Sequence, residues 1–130
     1  MLSRRSILVA AVAASAAAVA PALATGPQPF NAAAFADAQR AGKPIFVAIH
    51  ASWCPTCKAQ IPILSELMAD PKFNNLVYFT IDFDSQKDLV RRFGAQTQST
   101  LVAFNGDKEQ GRSVGDTNRG SIAALLNKVL

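Results

Sequence analysis

Residues 50–58 read HASWCPTCK and hold both cysteines of the chain, its single tryptophan and its single histidine. Two thiols separated by two residues can exchange disulfides, hold a soft metal, or close a structural staple. A staple across so small a loop adds little, because its stabilisation grows with loop length. A closed zinc site needs four ligands, and beyond Cys54, Cys57 and His50 only unassigned carboxylates remain. A copper(I) carrier or a cluster shared by two chains needs fewer residues per chain, so a thiolate metal-binding module stays open beside redox exchange.

Exchange depends on where the sulfurs sit. PIFVAIH, just before the pair, is apolar and β-branched, as a buried central strand should be. Pro55 suits the first turn of a helix, where a missing N–H costs nothing. Cys54 then lies where a strand gives way to a helix, beside unpaired N–H groups and the positive end of the helix dipole. Such places lower a cysteine pKa to about 3.5–7.5, against about 8.5 for a free thiol. Cys57 follows one turn later on nearly the same face, placed to resolve a mixed disulfide at Cys54.

The flanking elements follow from periodicity. Asn31 can cap a helix through AAAFADAQRA, with Phe30 stapled onto Phe35 and Gly42 at the exit. Ile61, Leu64, Leu67 and Met68 fall at helical spacing after the cysteines, and Pro62 should kink that helix before Asp70-Pro71 ends it. LVYFTI at 76–81 reads as a second buried strand. Ser85 and Asp88 resemble a capping box for a short helix carrying Leu89, Val90 and Phe93, closed by Gly94. A strand over 100–104, an Asn105-Gly106 hairpin and a partner strand over 110–114 come next. Ile122, Leu125, Leu126 and Val129 form the apolar stripe of a last helix. The order helix, strand, helix, strand, helix, strand, strand, helix predicts an α/β domain with a central mixed β-sheet flanked by helices on both faces.

The first residues are of another kind. Arg4-Arg5, an uncharged alanine-rich run over 7–20, and Ala22-Leu23-Ala24 make the three parts of a secretory signal peptide, predicting cleavage after Ala24. The run is too short and too rich in alanine to span a bilayer well. The paired arginines followed by Ser-Ile-Leu also resemble a twin-arginine signal. The expected organisation is a signal over 1–24 and one domain over 25–130 of the 130 residues. Loss of the two signal arginines takes the net charge from +4 to +2, leaving eleven basic and nine acidic side chains. No basic run interleaved with aromatics argues for nucleic acid. Export would place the thiols in an oxidising compartment, the periplasm.

The mature chain resembles the thioredoxin family. The likeness rests on IFVAIH followed by ASWCPTCK, on Pro62 eight residues after the first cysteine, and on FTIDFDSQKDLVRRFGAQTQSTLVAFNG. It implies a thioredoxin-like fold, Cys54 as the exposed nucleophile and Cys57 as the resolving thiol. Trp53 would shape the docking surface, with Lys58 behind the pair. It implies no cofactor beyond a redox-active Cys54–Cys57 disulfide.

Three positions depart from the family pattern. Ala48 stands where a buried Asp relays a proton for the resolving thiol. His50 replaces an aromatic residue, and reads either as a hydrogen-bonded strand-end histidine or as an acid–base or thiolate partner. Gln98-Ser99-Thr100 matches a segment whose middle residue is a cis-proline. A cis bond at Ser99 would cost about 2.5–4 kcal/mol, so trans is expected. Ser99 and Thr100 become candidate substrate-binding residues, Ser99 through an N–H that proline lacks. The reading is a periplasmic thiol–disulfide oxidoreductase, acting as a reductase on protein disulfides. It would be a monomer fed by a membrane electron carrier of the CcdA or DsbD type.

Overall fold

The computed structural model describes residues 11–15 and 26–130. The expected signal segment, apart from residues 11–15, and the cleavage point lie outside the described residues. No helix among the described residues is long and apolar enough to cross a membrane.

The chain runs β1 (Gln28–Pro29), α1 (Ala32–Arg40), β2 (Pro44–His50), α2 (Pro55–Met68), a 3₁₀ turn (Pro71–Phe73), β3 (Val77–Asp82), α3 (Lys87–Arg92), β4 (Thr100–Asn105), β5 (Lys108–Val114) and α4 (Arg119–Asn127). The sheet order is β1-β3-β2-β4-β5. β1 and β2 each pair parallel with β3, whereas β4 is antiparallel to both β2 and β5. The mixed sheet predicted from the sequence is therefore present, with one strand more than periodicity indicated. β1 has only two residues, one of them proline, too few to show any alternation.

β2 is the centre of the sheet, and its five middle residues are buried. Alternate side chains point to opposite faces of a strand. Phe46 and Ala48 join Leu64, Tyr78, Leu101, Ile122 and Leu126 on the face covered by α2 and α4. Ile45, Val47 and Ile49 join Phe35, Phe79, Val90 and Phe104 on the face covered by α1 and α3. A strand buried on both faces has no polar side to present, which explains its unbroken apolar run.

The local signals mostly hold. Asn31 caps α1, its Oδ1 accepting from the Ala34 N–H at 2.9 Å. The Phe30 and Phe35 rings lie 5.3 Å apart, as the staple requires. Gly42 leaves α1 at φ +68°, and Lys43 N–H returns to the Ala38 carbonyl at 3.0 Å. α2 runs without interruption across Pro62, although the proline removes the helical bond to the Lys58 carbonyl. The Ser85–Asp88 capping box does not form. Gln86 occupies the cap position of α3 with no side-chain bond to the helix N–H groups. Ser85 Oγ donates instead to the Asp82 carboxylate, and Gln86 Oε1 takes the Asp82 N–H at 2.8 Å. The strand end, one turn upstream, outcompetes the helix for both side chains. The hairpin strand β5 begins at Lys108, two residues earlier than expected. Val129 lies beyond the end of α4 but stays buried, at the edge of its stripe.

Candidate active site

The site forms where β2 leaves the sheet. After His50 the chain turns, with Cys54 N–H donating to the Ala51 carbonyl at 3.2 Å. Cys54 is extended, at φ −82° and ψ 116°, and is the N-cap of α2. Its sulfur does what a capping oxygen normally does, accepting the N–H of Cys57 at 3.2 Å. Pro55 opens the helix, as its spacing predicted. Cys57 occupies the first turn and is buried.

Ser99 reaches the pair from the loop before β4. Its Oγ lies 3.2 Å from Cys54 Sγ and 3.0 Å from Cys57 Sγ. Both cysteines are free thiols, 2% and 1% exposed. The resemblance implied an exposed nucleophile. Here Cys54 packs with Ala51, Cys57 and the half-buried Phe83, which with the Ser99 hydroxyl leave its thiol little open surface.

The electrostatics separate the two sulfurs. Burial pushes the Cys54 thiol up. Hydrogen bonds from the Cys57 thiol, the Ser99 hydroxyl and the N–H groups of Cys57 and Thr56 outweigh it and hold the pKa at about 7. Burial, then the hydrogen bond with Cys54, pushes the Cys57 thiol above its ordinary range. One sulfur is poised to ionise and the other to keep its proton, the division of labour that stepwise exchange needs.

The remaining candidates are distributed around this pair. Trp53 is 56% exposed next to Cys54, and its indole Nε1–H donates to Asp84 Oδ2 at 2.7 Å, which fixes the ring at the rim. Ser99 keeps a trans peptide, as expected on energy. Its N–H, expected to be open to a partner, is committed to the Ile49 carbonyl at 2.7 Å. Thr100 is buried at the start of β4, with its hydroxyl on the Thr97 carbonyl at 2.8 Å. Ser99 offers no free backbone N–H, and neither residue an exposed side chain, to a docking chain in this conformation.

His50 makes no hydrogen bond to either sulfur. It lies beside Gln60, and burial lowers its pKa while that neighbour partly opposes the shift. Its Nε2 and the Gln60 Oε1 are both buried without a hydrogen-bond partner. His50 also lines a groove of about 570 Å³ with Ile61, Met68, Tyr78 and Thr80, on the α2 side of the sheet.

Gln60 is the residue that sequence reasoning passed over. It is fully buried, and its amide donates to the Ser99 carbonyl at 3.3 Å and to the Asp116 carbonyl at 2.9 Å. A signal was available: positions 57, 60, 64 and 67 share the inward face of α2, and Gln60 is the polar member of that stripe. Among the described residues no three His, Cys, Asp or Glu side chains group to hold a metal ion. A closed four-ligand zinc site would have to draw ligands from a second chain.

Comparison with known proteins agrees with this geometry. The thioredoxin family model matches residues 27–128. A thioredoxin of Chlamydia muridarum is 35% identical over 97 residues, covering 72% of this chain and 89% of that protein. A bifunctional thioredoxin reductase/thioredoxin of Mycobacterium leprae is 29% identical over 100 residues, covering 77% of this chain but only 22% of that longer protein. The crystal structure of Trxlp from Edwardsiella tarda superimposes with a TM-score of 0.75 at 37% identity, covering 78% of this chain and 98% of the other. With a vicinal thiol pair capping a helix at the end of the central strand, and a family match over nearly all the described domain, the chain belongs to the thioredoxin family of thiol–disulfide oxidoreductases.

Proposed function

We propose that this protein is an exported, periplasmic reductase of protein disulfides. Cys54 carries the attack as a thiolate on a partner disulfide. A new bond forms between Cys54 Sγ and one partner sulfur, and the other partner sulfur leaves as a thiolate. Cys57 then loses its proton and attacks Cys54 Sγ. The Cys54–Cys57 disulfide forms, the second partner sulfur departs, and two electrons have passed from the protein to its partner.

The observation that carries this reading is the Cys54 sulfur itself. It is capped by the Cys57 N–H at the start of α2 and has a pKa of about 7. That acidity also supports the reductive direction. Reducing members of this class hold the nucleophile near about 7, whereas strongly oxidising ones lower it to about 3.5. Export rests on the signal-like residues 1–24. A reductase in an oxidising compartment needs electrons from inside the cell, so a membrane carrier of the CcdA or DsbD type is the proposed donor. Trp53, at the rim, is the proposed contact for the partner chain.

Insulin reduction with dithiothreitol as electron source tests the reading. The expected result is catalysed precipitation by the purified protein and none by Cys54→Ser. Absence of turnover, together with a stoichiometric thiolate-bound metal, would instead favour the metal-binding module that the cysteine pair also allows.

A further inference from the structure

Ser99 is the one non-glycine residue with a positive φ among the described residues, at +64°. A serine stays in the left-handed region only when its surroundings over-determine it. Here they do. The N–H is held by the Ile49 carbonyl at 2.7 Å. The carbonyl accepts from Gly115 N–H at 3.0 Å and from the Gln60 amide at 3.3 Å. Gln60 is itself anchored on the Asp116 carbonyl at 2.9 Å. What this clamp fixes is the side chain, whose Oγ sits within 3.2 Å of one sulfur and 3.0 Å of the other.

We propose that the Ser99 hydroxyl is a catalytic residue of the exchange, relaying the Cys57 proton to the sulfur that leaves Cys54. The proposal rests on the oxidoreductase reading above. Cys57 must lose a proton before it can attack, yet it is 1% exposed. It clusters with Ala51 and Cys54, Phe83 packs on that cluster, and Ser99 Oγ lies 3.0 Å from its sulfur. Of these only Cys54 titrates, and in the mixed disulfide Cys54 carries no proton and no charge. Ala48, fully buried, supplies no base. The single imidazole, His50, adjoins Gln60 and makes no hydrogen bond to either sulfur. A hydroxyl can accept one hydrogen bond and donate another at once. Either partner of each sulfur contact can be the donor, so with Cys54 ionised the hydroxyl can accept from the Cys57 thiol while it donates to the Cys54 thiolate.

In the resolving step the Cys57 S–H proton passes to Ser99 Oγ, and the hydroxyl's own proton passes to the departing partner sulfur. The Cys57–Cys54 bond forms as the Cys54–partner bond breaks. The partner leaves as a neutral thiol and Ser99 ends as the neutral hydroxyl it began as. Read backwards, the same path returns a proton to Cys57 when a donor thiol reduces the disulfide. Gln60 is the positioning residue for this relay, since it holds the Ser99 carbonyl without touching a sulfur.

Dipyridyl disulfide separates the two steps optically. The first release of pyridinethiol reports the mixed disulfide and the second reports attack by Cys57. The full-length protein is compared with Ser99→Gly, which suits a positive φ and keeps the fold, and with Ser99→Ala, which keeps the Cβ. Circular dichroism and thermal melting verify folding. In both variants the second release should slow by on the order of 10²-fold at about pH 6–7. It should recover as rising pH lets hydroxide take the Cys57 proton. A second release at the wild-type rate in either folded variant at that pH overturns the relay. So does slowing confined to the first release, which would limit Ser99 to stabilising the Cys54 thiolate. If the unsubstituted protein forms no mixed disulfide or never resolves one, the oxidoreductase reading falls and takes the relay with it. A wild-type protein that completes both steps leaves that reading standing, whatever the variants do.

Discussion

The acidity of Cys54 can be read directly from a pH profile. With a pKa of about 7, Cys54 is half ionised at that pH. One pH unit lower, the thiolate fraction falls to about one in eleven; a cysteine with a pKa of about 8.5 is only about 3% ionised at pH 7. The advantage in thiolate is therefore about sixteenfold at pH 7. Lower basicity also weakens the nucleophile. A Brønsted coefficient of about 0.4–0.5 over about 1.5 units takes back about four- to sixfold, leaving a net gain of about threefold to fourfold. That gain is small enough for the near-complete cover over Cys54 to hide it in an absolute rate. The midpoint of the profile is immune to that cover, because access scales every rate alike. The assay is attack on hydroxyethyl disulfide, acid-quenched and followed by mass spectrometry between about pH 5 and pH 10. Reactivity should fall about tenfold per unit below the midpoint and level off above it, and Ser99→Gly should move the midpoint up. A midpoint at about 8.5 or higher in the unsubstituted protein would refute the N-cap account of the thiolate.

Three further tests address the scaffold and the export reading. Gly106 sits at φ +60°, and a Cβ there would meet Gly42 Cα at 3.2 Å and the Gln39 carbonyl at 3.3 Å. Gly106→Ala should lower stability by at least about 1–2 kcal/mol in a urea titration, and an unchanged midpoint would contradict the hairpin packing. Phe79 is fully buried, with its ring centroid 5.6 Å from Phe30 and 6.0 Å from Phe35. Phe79→Ala should cost about 3–5 kcal/mol in the same titration, and a loss under about 1 kcal/mol would mean that this face of the core is not as packed as described. The exported protein should begin at Thr25, and replacing Arg4 and Arg5 with lysine should block export if the route is the twin-arginine one. Intact Met1 on protein recovered from the periplasm would remove the cleavage expectation.

Much of the scaffold was legible because its signals are local. β2 and β3 announce themselves as apolar runs, and Asn31, Gly42 and Pro55 carry their own capping chemistry. Cys54 and Cys57 could be placed for the same reason, since strand, turn and helix are consecutive in the chain. The misreadings have separate causes. The capping box failed because Ser85 found the Asp82 carboxylate, a competition that spacing alone does not reveal. β1 is too short to have a period. The most informative contacts of the site are long-range: Ser99 lies 45 residues from Cys54, and Gln60 lies 39 from Ser99. That Ser99 occupies a special position was visible only through the family resemblance. That its N–H is committed and its hydroxyl bridges two sulfurs needed the tertiary structure, because β2 and the β4 loop meet only in the folded sheet.

The most direct test of the central claim is the redox equilibrium of the cysteine pair in glutathione buffers, read by mass spectrometry of acid-trapped protein. The account predicts one two-electron transition, the loss of two hydrogens on forming Cys54–Cys57, at a potential near about −270 mV. A pair that forms no intramolecular disulfide at any poise would contradict exchange altogether. A transition near about −120 mV would keep the exchange and contradict the reductase.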